Sequence, residues 1–392
     1  MKTFRILLVA STALLTANFV SAQTWTQTSA PTNAWTSIAS SADGTKLVAV
    51  SDKGGFYKGG IYTSTNSGST WTLTSVPTTN MWTSVASSAD GTRLVATDLE
   101  TGIFVSTNSG ATWVHPVNTT NFNYWSSVAS SADGRKIVAV DESPSTIYSS
   151  TNFGLTWTLN SALQGDMWAI ASSADGNKLV LAVANGGPIY TSTNSGASWI
   201  LNTAPIKGWE YVASSADGTK LAAVANDGSI YRSTNSGATW KSCSIPSQFW
   251  KSIASSADGT KLAASAYYGP LIYTSTNSGV TWMATSIPST QDQFSVASSA
   301  DGNKLIAVNY GGGIWILQTA PAPQLNIATS STDLDLSWIV PSTNFVLQQN
   351  LDLTTTNWTD VTNTPVLNLT NLHNEVTLPS PGNNVFYRLK TP

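Results

Sequence analysis

The chain has 392 residues, only 10% of them charged, with 18 Lys and Arg against 21 Asp and Glu for a net charge of −3. An ordinary soluble domain is about 25% charged, so Ser, Thr, Asn and Gly must carry this surface, a composition that suits a turn-rich all-β protein. No basic excess exists to neutralise phosphates, which excludes a nucleic-acid partner, and no apolar run reaches the ~20 residues that a membrane span requires.

The chain opens with Lys2 and Arg5, an apolar run from Ile6 to Leu15, and the small residues Val20-Ser21-Ala22 before Gln23. That order is expected of a cleaved export signal over residues 1–22, with a secreted, periplasmic or cell-surface destination. Thr24-Trp25-Thr26-Gln27 follows as an isolated strand-like stretch. A first repeat unit then begins: Trp35 to Ser40 as a strand, Ala42-Asp43-Gly44 as a tight turn that Asp-Gly favours through positive φ, and Lys46 to Val50 as a second strand. Ser51 to Gly59 forms a loop, Gly60 to Ser64 a third strand, Asn66-Ser67-Gly68 a second turn and Thr70 to Ser75 a fourth strand.

The Asp-Gly signal recurs at Asp43, Asp90, Asp133, Asp175, Asp217, Asp258 and Asp301, at intervals of 47, 43, 42, 42, 41 and 43 residues. A period in the low forties with four short strands per unit predicts a β-propeller, here seven-bladed and spanning residues 23–318. The Ser-Thr-Asn-x-Gly-x-(Thr/Ser)-Trp turn occurs six times, ending at Trp71, Trp113, Trp157, Trp199, Trp240 and Trp282. The last unit runs Phe294 to Ser299, Lys304 to Val308 and Gly313 to Leu317, then stops. Thr24 to Gln27 matches its missing fourth strand, so the N-terminal strand is expected to close the ring.

Thr319-Ala320-Pro321-Ala322-Pro323 is a stiff linker, and residues 324–392 lose the period. Strands are expected there at Leu334 to Trp338, Phe345 to Gln349, Trp358 to Val361, Glu375 to Leu378 and Val385 to Leu389, as in a small sandwich-like module that leans on the propeller. Cys243 is the single cysteine, so no disulfide forms within the chain and the thiol is expected to be a small, buried apolar group.

The eight-residue stretch Ser64 to Trp71 resembles the Asp-box of sialidase-type propellers, Ser-x-Asp-x-Gly-x-x-Trp. Asn66, Asn108, Asn152, Asn194, Asn235 and Asn277 stand where that box has aspartate. Asn caps the same turn through its side chain while removing the charge. In Asp-box families the box is a structural turn remote from the active site, so the resemblance implies a scaffold without an activity. Sialidase chemistry would need three arginines around a carboxylate. Arg93, Arg135, Arg232 and Arg388 are scattered over turns and the end module, and none is placed for that clamp. The Ser-Ala-Asp-Gly-x-Lys-Leu-Val-Ala pattern is similar to the strand-turn-strand of other bacterial repeat propellers. Leu336-Ser337-Trp338, Trp358-Thr359-Asp360-Val361 and Phe386-Tyr387-Arg388-Leu389 resemble an end module of secreted bacterial surface proteins.

Both tight turns of a unit fall on one face, and the longer loops fall on the other, where propellers usually meet ligands. Asp98 and Glu100 in one unit and Asp141 and Glu142 in the next offer paired carboxylates for glycoside hydrolysis, with Asp166 and Glu210 extending the same face. The bland reading makes them solvated loop acids. Trp35, Trp82, Trp125, Trp168, Trp209, Trp250 and Phe294 open the first strands and suggest an aromatic ring at the rim of that face, or else a repeated packing duty. Irregular aromatics are the better binding candidates: Phe56, Tyr57, Phe122, Tyr124, Tyr267, Tyr268 and Tyr310. His115 and His373 lie in different domains, which leaves no material for a histidine metal site or a Ser-His-Asp triad. Gly311-Gly312-Gly313 lacks the setting of a phosphate loop, and no cofactor is expected.

The expectation is therefore a secreted, monomeric, non-catalytic propeller that binds a glycan or a protein through its loop face. A divergent glycoside hydrolase using the paired acids is one alternative. An extracytoplasmic assembly factor is another, because propellers that help assemble photosystem II are similar in repeat type.

Overall fold

The computed structural model describes residues 25–52, 59–77, 80–116, 124–143, 145–318, 325–329, 332–339, 346–352, 355, 357–381 and 385–390. The expected leader over residues 1–22 and the expected linker over residues 319–323 lie outside these. The described chain is an all-β propeller built from small antiparallel sheets, and none of its described residues forms a helix long and apolar enough to cross a membrane.

The first unit shows the pattern. Asn33–Ser40, Leu47–Ser51, Gly60–Ser64 and Thr72–Leu73 pair in sequence order. The second strands, apolar on both sides, are wholly buried between neighbouring sheets. The outermost strands are short and exposed, and in the second unit the outer strand is reduced to one bridge, Val105 to Val114. The expected fourth strand over Thr70 to Ser75 is thus only two residues long in the first unit.

The Asp-Gly turn is held by its own acid. Asp43 Oδ1 accepts from Ser41 Oγ at 2.6 Å and from the Thr45 amide at 2.9 Å. Glycine is required beside it for two reasons. Gly91 lies at a φ of +66°, and a Cβ there would come within 2.7 Å of Lys46 Cβ in the preceding unit. The basic residue of each turn leans across the next turn's glycine. Lys178 donates to Asp217 O at 2.9 Å, Lys220 to Asp258 O at 2.6 Å, Lys261 to Asp301 O at 2.9 Å, and Lys304 to Gly44 O at 2.9 Å.

Backbone bonds close a circle at the same level. Ala42 N donates to Ala89 O, Ala89 to Ala132, Ala132 to Ala174, Ala174 to Ala216, Ala216 to Ala257, Ala257 to Ala300, and Ala300 back to Ala42, all at 2.7 or 2.8 Å.

The Asn turn is equally regular. Asn66 Oδ1 accepts from the Thr70 amide at 2.9 Å and Asn66 Nδ2 donates to Thr70 Oγ1 at 2.9 Å, while Gly68 N donates to Ser64 Oγ at 2.9 Å. Ser67 and Gly68 both take positive φ, at 59° and 81°. The same bonds recur at Asn108, Asn152, Asn194, Asn235 and Asn277.

The N-terminal strand joins the last unit, with Thr26 opposite Ile316 and Gln27 opposite Trp315. Trp25 Nε1 donates to Thr285 Oγ1 at 3.2 Å, just as Trp71 Nε1 donates to Thr28 Oγ1 at 3.2 Å. Each indole reaches the outer strand of the preceding sheet, so Trp25 serves the last unit as Trp71 serves the first. A second seam lies alongside: Asn33 and Ala34 pair with Gly312 and Tyr310 on the long strand Lys304–Gly312.

Beyond the ring, Asn326–Thr329, Asp333–Ile339, His373–Pro379 and Val366–Asn368 make one sheet. Thr359–Asp360, Val346–Asn350 and Phe386–Lys390 make another. Leu334, Leu336, Trp338, Leu347, Val376 and Leu378 form their shared core. Asn326–Thr329 and Val366–Asn368 are strands that the sequence pattern did not suggest. The hairpin tip carries Leu372, in the left-handed region at a φ of 56°. Leu372 and Leu367 pack on the cluster of Ala42 and Ala300, and Leu372 lines the axial opening together with Ala89 and Ala257, so this leucine tip covers the axis where the backbone circle lies. Cys243 is only partly buried. Burial pushes its thiol up, and it packs in the interior between the fifth and sixth units.

Two outcomes follow. Trp25 is 5% exposed, and replacing a buried tryptophan by alanine costs about 3–5 kcal/mol. Trp25→Ala should therefore lower the stability of the whole ring in urea denaturation by that amount, and an unchanged midpoint would refute closure by the N-terminal strand. Acid should destabilise the fold in two steps. Burial holds His115 and His373 below the ordinary histidine value, so the folded state resists their protonation and stability falls as pH drops through about 6.5. In Asp90, Asp175, Asp217 and Asp258 burial alone would raise the carboxyl, but bonds from the turn Ser and the following Thr or Asn, with a neighbouring lysine, outweigh it and hold the group low. Their stabilisation is complete above the ordinary carboxylate value and drains away below about pH 4. Melting temperature measured from pH 8 to pH 3 checks both steps.

Candidate binding site

Eight residues before each turn aspartate stand Trp35, Trp82, Trp125, Met167, Trp209, Trp250 and Gln293. Each pairs with the loop-face end of its unit's second strand, at Ser51, Asp98, Asp141, Val183, Ala225, Ala266 and Asn309. The five tryptophans and Met167 are buried between sheets, at 0–1% exposure. The expected aromatic rim is therefore a packing layer. Trp168 does not belong to it, because Met167 occupies the equivalent place. A one-residue offset in a strand carries a side chain to the other face, and here it separates Trp168 from the other five.

The next residue is bulged in every unit. Thr36, Thr83, Ser126, Trp168, Glu210, Lys251 and Phe294 are each the extra residue where the register of the first hairpin shifts. A bulge leaves one residue out of the ladder and re-aims its side chain. Three of the seven are hydroxyls that tie neighbours together. Thr36 Oγ1 donates to Trp82 O at 2.7 Å, Thr83 Oγ1 to Trp125 O at 2.8 Å, and Ser126 Oγ to Met167 O at 2.7 Å. The next three differ. Lys251 Nζ lies 3.2 Å from Glu210 Oε2 and 5.6 Å from the centre of the Trp168 ring.

Of these bulged residues, Thr36, Thr83, Ser126, Trp168, Glu210 and Lys251 line a cavity of about 300 Å³ at the loop-face mouth of the axis. Met81, Leu99, Tyr124, Trp168 and Tyr211 supply its apolar and aromatic walls, and Asp52, Glu142, Glu210 and Lys251 its charges. Tyr211 stands where Ser37, Ser84, Ser127, Ser252 and Ser295 stand in other units, and burial pushes its phenol up, leaving a neutral hydroxyl.

The expected acids divide. Asp98 Oδ1 accepts from the Thr101 amide and hydroxyl, each at 2.6 Å. Asp141 accepts from the Ser145 and Thr146 amides at 2.8 and 3.1 Å and from the Thr146 hydroxyl. Both are buried and pin their own loops. Glu100 is exposed, and Asp166 binds Asn185 Nδ2 at 2.7 Å. Glu142 and Glu210 alone among the expected acids line the cavity.

Of the aromatic candidates, Phe56, Tyr57 and Phe122 lie outside the described residues. Tyr124 lines the cavity and is half exposed. Tyr267, Tyr268 and Tyr310 come together over the sixth and seventh units. Tyr267 stacks edge-on against Tyr268 at 4.8 Å, and burial, then Asp292, Tyr268 and Tyr310, push its phenol up. Phe249, not singled out from the sequence, completes the patch at 5.3 Å from Tyr268, and both rings are 60% exposed. Lys251, Met81 and Tyr211 were likewise missed. Counting a fixed eight residues back from each Asp-Gly turn would have exposed the Trp168 offset and the variable position beside it.

No family model matches the chain, and no curated protein matches it. Solved structures do. The structure of YCF48 bound to D1 peptide superposes with a TM-score of 0.60 at 15% identity, covering 76% of this chain and 96% of that one. YCF48 from Cyanidioschyzon merolae gives a TM-score of 0.59 at 13% identity, covering 75% and 99%. At these identities the likeness is one of fold, and the chain is a β-propeller of the shape seen in YCF48.

Proposed function

We propose that this chain is an exported, seven-bladed, Asp-box-type propeller with a C-terminal β module, and that it binds a polypeptide partner without catalysis. The closed circle of seven backbone bonds and the pairing of Thr26 with Ile316 support the blade count. The axial cavity carries the functional reading. At about 300 Å³ it stands at the small end of ligand pockets, room for one or two inserted side chains rather than an oligosaccharide. The exposed Phe249 and Tyr268 begin two residues from Lys251, which is roughly 7 Å along a strand. An extended segment crossing the sixth unit would meet both. YCF48, a propeller of the same fold, has been seen with D1 peptide bound, and a partner of that class suits this cavity too. Hydrolysis has less support, because Asp98 and Asp141 serve their loops.

The test is to present the full-length protein to peptide and polysaccharide arrays, assaying the polysaccharides for released reducing ends. Peptide retention that falls at least tenfold in Trp168→Ser, with no sugar released, is expected. Retention of a glycan in place of peptides, or turnover abolished by Glu142→Gln, would replace this reading.

A further inference from the structure

We propose that the axial cavity selects a basic side chain, arginine or lysine, presented by an extended polypeptide. This rests on the cavity being the binding site. Among the described residues of its walls, the carboxylates of Glu142 and Glu210 stand against one cation, Lys251, which already lies at 3.2 Å from Glu210. The surplus is negative. Trp168 and Tyr124 add ring faces, and a cation over an aromatic face is favoured, more so away from water. A cavity in which Glu142 is paired with no described residue, between aromatic walls, is the complement of a long aliphatic stem ending in a positive charge.

Lys251 shows that the chemistry works. This side chain reaches across from the sixth unit, pairs with Glu210 and stands 5.6 Å from the Trp168 ring centre. The protein thus seats one cation of its own on one side of the cavity. Glu142, from the third unit, offers a carboxylate that no described residue bonds or pairs with. A guest cation entering from the loop face would meet Glu142 and share Trp168 with Lys251.

The bulged positions also allow clean variants. Units one to three carry Thr, Thr and Ser at this place, so Trp168→Ser and Lys251→Thr install side chains that the fold already uses there. Binding of short, end-capped Gly/Ser peptides with a central Arg, Lys, norleucine or Glu is measured by calorimetry and Trp fluorescence, with melting temperature as the folding control. Arg and Lys peptides should bind at least tenfold more tightly than norleucine, weaken as salt is raised, and lose tenfold or more in Glu142→Gln. Lys251→Thr should tighten them, because it frees Glu210 and the Trp168 face. Norleucine binding as well as arginine, preference for the Glu peptide, or weakened Arg binding in Lys251→Thr would each overturn the proposal. The two readings fail separately. Uncharged peptides held in a Trp168-dependent way would end the basic-residue proposal but leave the polypeptide site, whereas no binding of any probe at millimolar concentration would remove both.

Discussion

A circle of seven backbone hydrogen bonds, running from Ala42 through six other turns and back to Ala42, sets the rest of the structure. Each bond spans adjacent units, so the seven first strands start from one level at the turn face. They rise together toward the loop face, and the bulged residues stand six positions earlier in each strand. At 3.3–3.4 Å per residue that is roughly 20 Å away. The cavity is thus a product of closure. Shift one unit by a residue and its bulge would leave the ring. Lys304, buried at the seam, repeats the constraint with a side chain by donating to Gly44 O and to Ser67 Oγ at 2.9 and 2.8 Å.

The uniform asparagine of the second turn follows from the same crowding. Its Oδ1 accepts from a backbone amide and its Nδ2 donates to a hydroxyl, so both ends of the amide are used. A carboxylate would hold the amide equally well, but six of them would triple the net charge of a chain already at −3 and place the added repulsion on one face. The first turn keeps its aspartates because lysines accompany them. Lys46 lies near Asp90, Lys136 near Asp175, Lys178 near Asp217 and Lys220 near Asp258, each easing the carboxylate's charge.

Much of this was legible because the scaffold is periodic. Asp-Gly and Asn-x-Gly turns impose local backbone conformations whatever surrounds them, and the orphan Trp25 betrayed the closing strand. The site was less legible for the opposite reason. Glu142 and Asp141 are neighbours in sequence, yet one faces the cavity and the other is spent on loop amides, a difference decided by the direction of one side chain. Trp168 looked like its counterparts because tryptophan is common at strand openings, and only the bulge, invisible in composition, turns it to the axis. Phe249 and Tyr268 meet through two separate loops of one unit, a contact no spacing announces. The leucine tip at Leu372 belongs to a hairpin 70 residues beyond the last turn of the ring, with nothing in its own segment to point back to the alanines it covers.

The asymmetry of the bulge ring is the strongest physical sign that the loop face has a task. In three units the bulged hydroxyl bonds a neighbour's carbonyl at 2.7–2.8 Å, worth about 0.5–1.5 kcal/mol each. The same backbone, with the same turn below it, recurs in the next three units, where a hydroxyl would be equally at home. Trp168, Glu210 and Lys251 stand there instead. Repeats copied so closely elsewhere diverge at consecutive positions around one cavity, exchanging the hydroxyl-to-carbonyl bond for the Lys251–Glu210 pair beside Trp168. Three large, chemically distinct side chains gathered at one mouth of the ring, where the first three units carry small hydroxyls, are what supports the binding role proposed for this face.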